Sequence, residues 1–250
     1  MGTHMVWLGR KSKLKSFPKL EGVDLKELIK DLQRHGIKVV ISSMFFMEHH
    51  TPENIWEDVE DHLNMGPDFG MMCVYSAMPG TPLYDKMAEE GRIRKDLPYE
   101  DWHGIGPLNF VHPRFSEQEA LRIRERILAM EAERLGPGAV RLIKTDLLAY
   151  EYLRESPSPA LRLRAEHIGR KRSTYRATLF AIERLLPPGP PRDVTADVIS
   201  RAEKIFGPTT ALEKFLGLGL MAFAQKEKLR FSLATDVIQP PTMVTRYRAS

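Results

Sequence analysis

The sequence contains a single cysteine, Cys73, among its 250 residues. One cysteine cannot close a disulfide within the chain, which excludes the small cross-linked scaffolds typical of secreted proteins. It also excludes a zinc site or an iron–sulfur cluster ligated by cysteines of this chain alone. Because Cys73 lies among apolar residues, we interpret it as an inert core thiol rather than a nucleophile.

Long apolar runs are also absent. No stretch reaches the roughly 18 to 20 apolar residues of a membrane-spanning helix, and the first residues lack the apolar segment of a signal peptide. These two absences predict a soluble, cytoplasmic protein. Its length suits one large domain or two modest ones.

The overall charge imbalance is small, +4, but the basic residues are unevenly placed. The last 95 residues, Ser156–Ser250, contain 16 basic and 8 acidic residues. The densest segment, Leu161–Arg176, has six basic residues and only Glu166 as an acid. We interpret it as the solvated face of a long basic helix, Leu161–Leu186. Nucleic-acid binding is the alternative, although the interleaved aromatic residues that such surfaces use are reduced to Tyr175.

The first 95 residues alternate between strand-like and helix-like patterns. Apolar runs at Met5–Gly9, Ile37–Phe46 and Phe69–Ser76 predict buried strands, the second apolar on both faces as in a covered sheet. Helical patterns follow them, beginning at Asp24, near Pro52 in the first turn, and at Thr81. This order is typical of βαβ units and predicts a parallel sheet. Three strands are too few to close a barrel.

The rest of the chain predicts an all-helical domain. Residues 96–115 form a connector rich in Pro, Gly, Trp and His, and residues 116–250 carry helical patterns. We expect about five helices, a stiff linker at Pro187–Pro191 and an irregular tail at Val237–Ser250. The predicted fold class is therefore α/β: three βα units in residues 1–95, followed by a helical C-terminal domain.

Several motifs have simple structural explanations. Glu48-His49-His50 has metal-ligating residue types but no third ligand at helical spacing, so we interpret it as a polar strand-to-helix turn. Gly217-Leu-Gly-Leu-Met-Ala222 lies inside a helical pattern, which favours a close helix–helix contact over dinucleotide binding. His103 and His112 in the connector are candidate ligands or acid–base groups, with structural roles as the simpler interpretation. The cluster of methionines at positions 44, 47, 65, 71, 72 and 78 is expected to fill the core.

The loops after the three strands carry the most informative residues. They are Gly9–Ser12, Met44–Glu48 and Ala77–Tyr84. In a parallel α/β sheet the carboxyl ends of the strands form the rim where ligands bind. Gly80 allows close approach of backbone to a ligand, and Thr81 is placed to cap the next helix.

One of these loops resembles a segment of radical S-adenosylmethionine enzymes. The matching residues are Ala77-Met-Pro-Gly-Thr-Pro-Leu-Tyr84, followed by Glu90-Gly91-Arg92-Ile93. Together with Trp7-Leu-Gly9, Leu20-Glu-Gly22 and His50-Thr-Pro-Glu-Asn-Ile55, they resemble the subgroup with an N-terminal cobalamin-binding domain. Further similarity to that subgroup's C-terminal extension lies in Asp101-Trp-His-Gly104, His112-Pro113 and the stretch from Gln239 to Arg248.

The resemblance implies that the three strands are the last three of a six-stranded partial (βα) barrel, the TIM-like radical-SAM barrel. It implies S-adenosylmethionine, a [4Fe–4S] cluster held by three cysteines of a Cys-x3-Cys-x2-Cys loop, and cobalamin as cofactors of the complete protein. This sequence has neither that loop nor the cobalamin-binding domain. It therefore resembles a C-terminal fragment whose partner is the missing N-terminal half or another chain. We expect none of these cofactors to be bound by this chain alone.

By the same resemblance, Ser42, Pro79 and Gly80 line the adenosyl side of the pocket, with Ser12 as a further candidate. The resemblance also implies that the connector around Trp102–His112 caps the substrate. That substrate would be a small molecule or a lipid that undergoes radical methyl transfer or a related modification. The sequence departs from the family pattern at Lys11, where a carboxylate is common, and at Phe46, where glycine is common. These departures leave open a second hypothesis, a non-catalytic binding or scaffold protein completed by a partner chain.

Overall fold

The computed structural model describes residues 2–7 and 23–233, and its first half alternates strands with helices. The elements are β1 (Gly2–Trp7), α1 (Leu25–Arg34), β2 (Lys38–Phe45), α2 (Ile55–Met65), β3 (Phe69–Val74) and α3 (Pro82–Glu89). After a short 3-10 helix at Tyr99–Asp101 come α4 (Glu117–Leu135), α5 (Gly138–Arg154), α6 (Pro159–Gly169), α7 (Arg172–Leu185), α8 (Pro190–Phe206) and α9 (Ala211–Leu233). The predicted α/β class with a helical C-terminal part is confirmed.

The three strands pair in parallel in chain order, β1-β2-β3. Helices α1 and α2 contact β2, and α4 contacts β3. Because side chains alternate along a strand, Phe45 and Val74 enter the core beneath these helices, whereas Met71 is on the opposite face. On that face Phe69 and Met71 remain 47% and 40% exposed. Within the described residues the contacting helices pack on one face, but β2 itself has no exposed residue: on its other face Ser42 is buried and Val40 and Met44 are half-buried, as expected for a strand shielded on both faces.

Local sequence signals set the helix boundaries. The Asp24 side chain accepts the Glu27 N–H and begins α1, and Ser116 and Glu119 form a complete capping box at the start of α4. Thr81 caps α3 in the same way. These three predicted starts are confirmed. Pro52 precedes α2, which begins at Ile55, so its predicted place in the first helical turn is wrong.

The helical part differs from its prediction in three ways. The expected long helix Leu161–Leu186 is two helices, because the backbone turns at Arg170 and Lys171, between Gly169 and the start of α7. The described residues from 116 onward therefore hold six helices rather than five. Pro190 begins α8 instead of belonging to a linker, since proline in a first turn has no hydrogen bond to lose. The predicted tail at Val237–Ser250 lies outside the described residues.

The helical part attaches where the strands begin. At the start of β2, Lys38 Nζ lies 2.7 Å from Asp146 Oδ1 of α5. Just before β3, the Asp68 carboxylate accepts a hydrogen bond of 2.5 Å from Thr145 Oγ1, also of α5. The carboxyl ends of the strands lie at the other end of the sheet, away from this docked helical part. None of the described helices combines the length and apolar character that crossing a membrane requires.

Candidate functional site

The loop after β3 is held by one buried amide. Asn109, which is 0% exposed, donates from Nδ2 to the Ala77 carbonyl at 2.7 Å and accepts the Ala77 N–H at 2.9 Å. Beyond this clamp, Pro79 and Gly80 are exposed. Gly80 has φ +81° and no atom within 4 Å of where a Cβ would stand, so it presents bare backbone to open space. Asn109 belongs to no motif that could be recognised in the sequence.

The other predicted cofactor-binding residues lie on different elements. Ser42 is in β2, on the face opposite the helices, and its Oγ donates to Met71 Sδ at 3.6 Å. Pro79 and Gly80 belong to the loop after β3, several residues past the strand end. Ser12, like Lys11, lies outside the described residues.

The loop after β2 turns sharply at Phe46. Its φ is +61°, the only positive φ of a non-glycine residue among those the structure describes. Such a backbone costs an L-residue roughly 1 to 2 kcal/mol. The ring is 0% exposed and meets Phe115 edge-on, with centroids 5.2 Å apart. The burial of this ring offsets the strain.

An ionic contact ties this loop to α3. Glu48 accepts hydrogen bonds of 2.8 and 2.9 Å from Lys86 Nζ, and Arg92 Nη1 lies 3.7 Å away. The hydrogen bond from Lys86 lowers the pKa of Glu48 below its usual value, and the two cations add to the effect. A carboxylate at the strand ends is thereby held in its ionised form.

His49, His50 and Asp58 are close enough to suggest a metal site, with candidate ligand atoms within 4.8 Å of one another. The hydrogen bonds of His50 oppose that use. Its Nδ1 accepts the Met47 N–H at 2.8 Å, so the neutral ring carries its proton on Nε2, which faces Asp58 Oδ2 at 3.0 Å. A protonated nitrogen cannot ligate a cation. The pair is better explained as fixing the polar turn between β2 and α2 that the sequence predicts.

The two histidines of the connector, His103 and His112, differ in burial and in their contacts. His112 is buried; its Nδ1 accepts the Arg114 N–H, and its Nε2 lies 3.3 Å from the Met47 carbonyl. Burial lowers its pKa, although the Met47 contact opposes this. Both ring nitrogens thus join backbone segments, as expected for a structural histidine. His103 is exposed on the surface of the connector.

A fully buried polar cluster beneath the sheet was not predicted. His62 Nδ1 lies 2.6 Å from Ser43 Oγ, and its Nε2 has no hydrogen-bond partner. Across from it, Glu131 accepts the Gly70 N–H at 3.1 Å and a hydrogen bond of 2.6 Å from Arg141. A Cβ at Gly70 would overlap Glu131 Oε1 and lie 2.5 Å from His62 Nε2. The signal was present: His62 follows Val59 by three residues on the apolar stripe of α2.

Three remaining sequence interpretations have mixed outcomes. Gly217 does make a close helix contact, since a Cβ there would lie 2.6 Å from the Phe180 ring. Cys73 is only half-buried and pairs in register with Met44 on the face away from the helices, so its assignment to the core is wrong. Three of the six clustered methionines are buried, at positions 47, 65 and 72, whereas those at 71 and 78 are exposed.

Neither the protein-family models, nor the curated proteins, nor the solved structures contain a match to this chain.

Proposed function

We propose that this chain supplies the C-terminal half of the barrel of a radical S-adenosylmethionine protein of the cobalamin-binding subgroup, with a helical domain attached at the far end. The observation that carries the proposal is the one-sided cover of the parallel sheet. Helices pack on one face and the helical domain docks at the strand starts, while Phe69 and Met71 stay exposed on the other face. In a completed barrel that face becomes the interior, and the strand ends become the ligand rim.

The backbone at Phe46 supports the resemblance. The family commonly has glycine at this position, and Phe46 keeps the left-handed conformation that favours glycine. Its ring points into the core against Phe115 rather than over the strand ends. The substitution is therefore compatible with an open ligand rim.

The cofactors of the family fit this chain unequally. The [4Fe–4S] cluster does not fit, because the chain has only Cys73 and the family uses three cysteines. Those ligands would belong to the missing half or to a partner chain. S-adenosylmethionine fits better, since the bare backbone of Gly80 and the Ser42 hydroxyl are suited to contact its adenosyl part. The proposed substrate is a small molecule or lipid, modified by radical methyl transfer or a related reaction.

Two glycines provide a matched test of the adenosyl site. Gly80 and Gly91 both have positive φ and open space where a Cβ would stand. Asn tolerates this backbone, so Gly80→Asn and Gly91→Asn strain the fold to a similar degree. The chain would be joined to the segment encoded in frame before it, and S-adenosylmethionine binding measured by equilibrium dialysis.

We expect Gly80→Asn to weaken binding by at least about tenfold, because the added side chain occupies ligand space. Gly91→Asn should bind like the unmodified protein. Equal binding by both variants would refute the placement of the adenosyl group at Gly80. Absence of binding in the joined, unmodified protein would favour the non-catalytic scaffold hypothesis.

A further inference from the structure

A cationic cleft lies between the end of α5, helix α6 and the start of α7. Its volume is about 650 Å³, within the range of roughly 300 to 1,000 Å³ that is typical of small-molecule sites. Among the described residues that line it are four arginines, at positions 154, 162, 170 and 172, and one acid, Glu166. The lining therefore has a surplus of three positive charges. We call it the arginine cleft.

The break in the basic segment brings these arginines together. On one continuous helix, residues two positions apart point to different sides, so Arg170 and Arg172 would not share a cavity. The backbone instead turns at Arg170 and Lys171, between α6 and α7, and both arginines line the arginine cleft together with Arg162 of α6. The basic charge is thus gathered in a concave site, which suits a compact anion better than a long polyanion.

Three of the four arginines keep their charge unpaired. Arg162 donates to two backbone carbonyls just before α6, at 2.7 and 2.9 Å, which hold the guanidinium in place without neutralising it. Arg170 and Arg172 are exposed, and within residues 23–233 their side chains have no ion pair or hydrogen bond. Arg154 is the exception, since its Nε lies 3.0 Å from Glu155. The three unpaired cations repel one another, and a bound anion would relieve that repulsion.

Two aromatic rings form the apolar part of the same cleft. Tyr150 and Phe206 both line it, with ring centroids 4.9 Å apart. Gly169 leaves room for the Tyr150 ring, because a Cβ there would lie 2.9 Å from it. Within the part of the chain that the structure describes, the Tyr150 hydroxyl has no hydrogen-bond partner. The cleft thus combines phosphate-binding groups with a surface for an organic group.

We propose that the arginine cleft binds a small molecule with a diphosphate group, such as a nucleoside diphosphate. Arg162, Arg170 and Arg172 donate to the phosphate oxygens, since guanidinium matches phosphate with two parallel hydrogen bonds. Two ionised phosphates carry about three negative charges near neutral pH, which balances the surplus of the cleft. The Tyr150 and Phe206 rings contact the organic part. This proposal is independent of the radical S-adenosylmethionine function, because it uses no residue of the sheet or of the strand ends.

The test is isothermal titration calorimetry of the whole chain with ADP, AMP and inorganic pyrophosphate, at low salt and without Mg²⁺. ADP should bind at least about tenfold more tightly than AMP, because its second phosphate reaches further arginine donors. Pyrophosphate should compete with ADP, since it occupies the same donors. Higher salt should weaken all three, as expected for exposed charges.

A double variant tests the two arginines at the turn. Arg170→Gln with Arg172→Gln should weaken ADP binding at least about tenfold, because two charge-assisted contacts are lost. The matched control is Arg122→Gln with Arg192→Gln. Arg122 is exposed on α4, Arg192 is at the far end of α8 from Phe206, and neither lines the cleft. The control should bind ADP like the unmodified chain, and far-UV circular dichroism verifies that both variants fold.

Three results would overturn the proposal. The first is undetectable binding of ADP and pyrophosphate at low salt. The second is an equal loss of ADP binding in the cleft variant and in the control, which would make the effect one of overall charge. The third is binding of a single strand of about 20 nucleotides that the cleft variant loses, together with no binding of ADP; it would assign the arginines to nucleic acid.

Discussion

Protonation of His62 is predicted to destabilise the fold in mild acid. The side chain is 0% exposed, and burial, with the nearby Arg141 cation, lowers its pKa from 6.5 to about 4. The unfolded chain therefore binds this proton more readily than the folded chain between these two values. The free energy of unfolding has its full value above about pH 6.5 and falls as the pH drops toward 4. At 1.36 kcal/mol per unit of pKa difference, the loss amounts to about 3 kcal/mol.

The surroundings of His62 explain why no neighbour rescues the protonated form. Ser43 Oγ occupies Nδ1, and Arg141 adds a positive charge on the other side. Glu131 lies close by across Gly70, but it is engaged by Arg141 and by the Gly70 N–H. An imidazolium at this position would lack both water and a free carboxylate.

The assay is urea unfolding followed by circular dichroism from about pH 7 to pH 4.5, for the unmodified chain and for His62→Gln. Glutamine stays neutral, so the difference between the two curves isolates His62 from other titrating groups. The free energy of unfolding of the unmodified chain, relative to that of His62→Gln, should fall by more than 2 kcal/mol over this range. A Ser43→Ala, His62→Leu double variant removes both polar partners. Its free energy of unfolding should depend on pH as weakly as that of His62→Gln. Parallel pH curves for the unmodified chain and His62→Gln would refute the argument.

Three further predictions concern the backbone and a buried ion pair. At Phe46, φ is +61°, so Phe46→Gly should be about 1 kcal/mol more stable than Phe46→Ala in urea unfolding; an equal or more stable Ala variant would contradict the assigned backbone. Gly70→Ala should cost about 2 to 3 kcal/mol, because its Cβ overlaps Glu131, whereas Gly104→Ala, with its nearest contact at 3.9 Å, should cost much less; similar losses would exclude the close approach. For Glu213, burial alone raises the pKa, but hydrogen bonds from Thr210, Ser173 and Arg176 lower it to about 2. Glu213→Gln should therefore cost about 3 kcal/mol at pH 7, a loss that shrinks as the pH falls from about 4.5 toward 2; a pH-independent loss would contradict it.

The sequence predicted best those elements whose boundaries are set by residues close together in the chain. Asp24, Thr81 and Ser116 each accept the backbone N–H three residues later, a geometry fixed within one turn of helix. The alternation of strand and helix patterns likewise predicted the parallel sheet. The prediction of one long basic helix missed a non-local contact: Gly169, where α6 ends, packs without a Cβ against the Tyr150 ring of a neighbouring helix.

The candidate site was predictable only in part for the same reason. Gly80 is recognisable from its loop, and its positive φ agrees with the expected close approach of backbone. Asn109 is 32 residues from the Ala77 peptide that it clamps, and no periodic pattern connects them. Cys73 was assigned to the core because its neighbours are apolar, but which face of β3 it occupies depends on the register with β2. These contacts are set by tertiary packing, which one sequence does not reveal.

The most direct measurement of the half-barrel proposal is iron content after anaerobic reconstitution with iron and sulfide. It compares this 250-residue chain alone with the chain joined to the segment encoded in frame before it. We predict no stoichiometric iron on the chain alone, because Cys73 cannot hold a cluster, and about four irons on each joined chain, together with S-adenosylmethionine binding. About four irons on the chain alone, or none on the joined protein, would contradict the proposal.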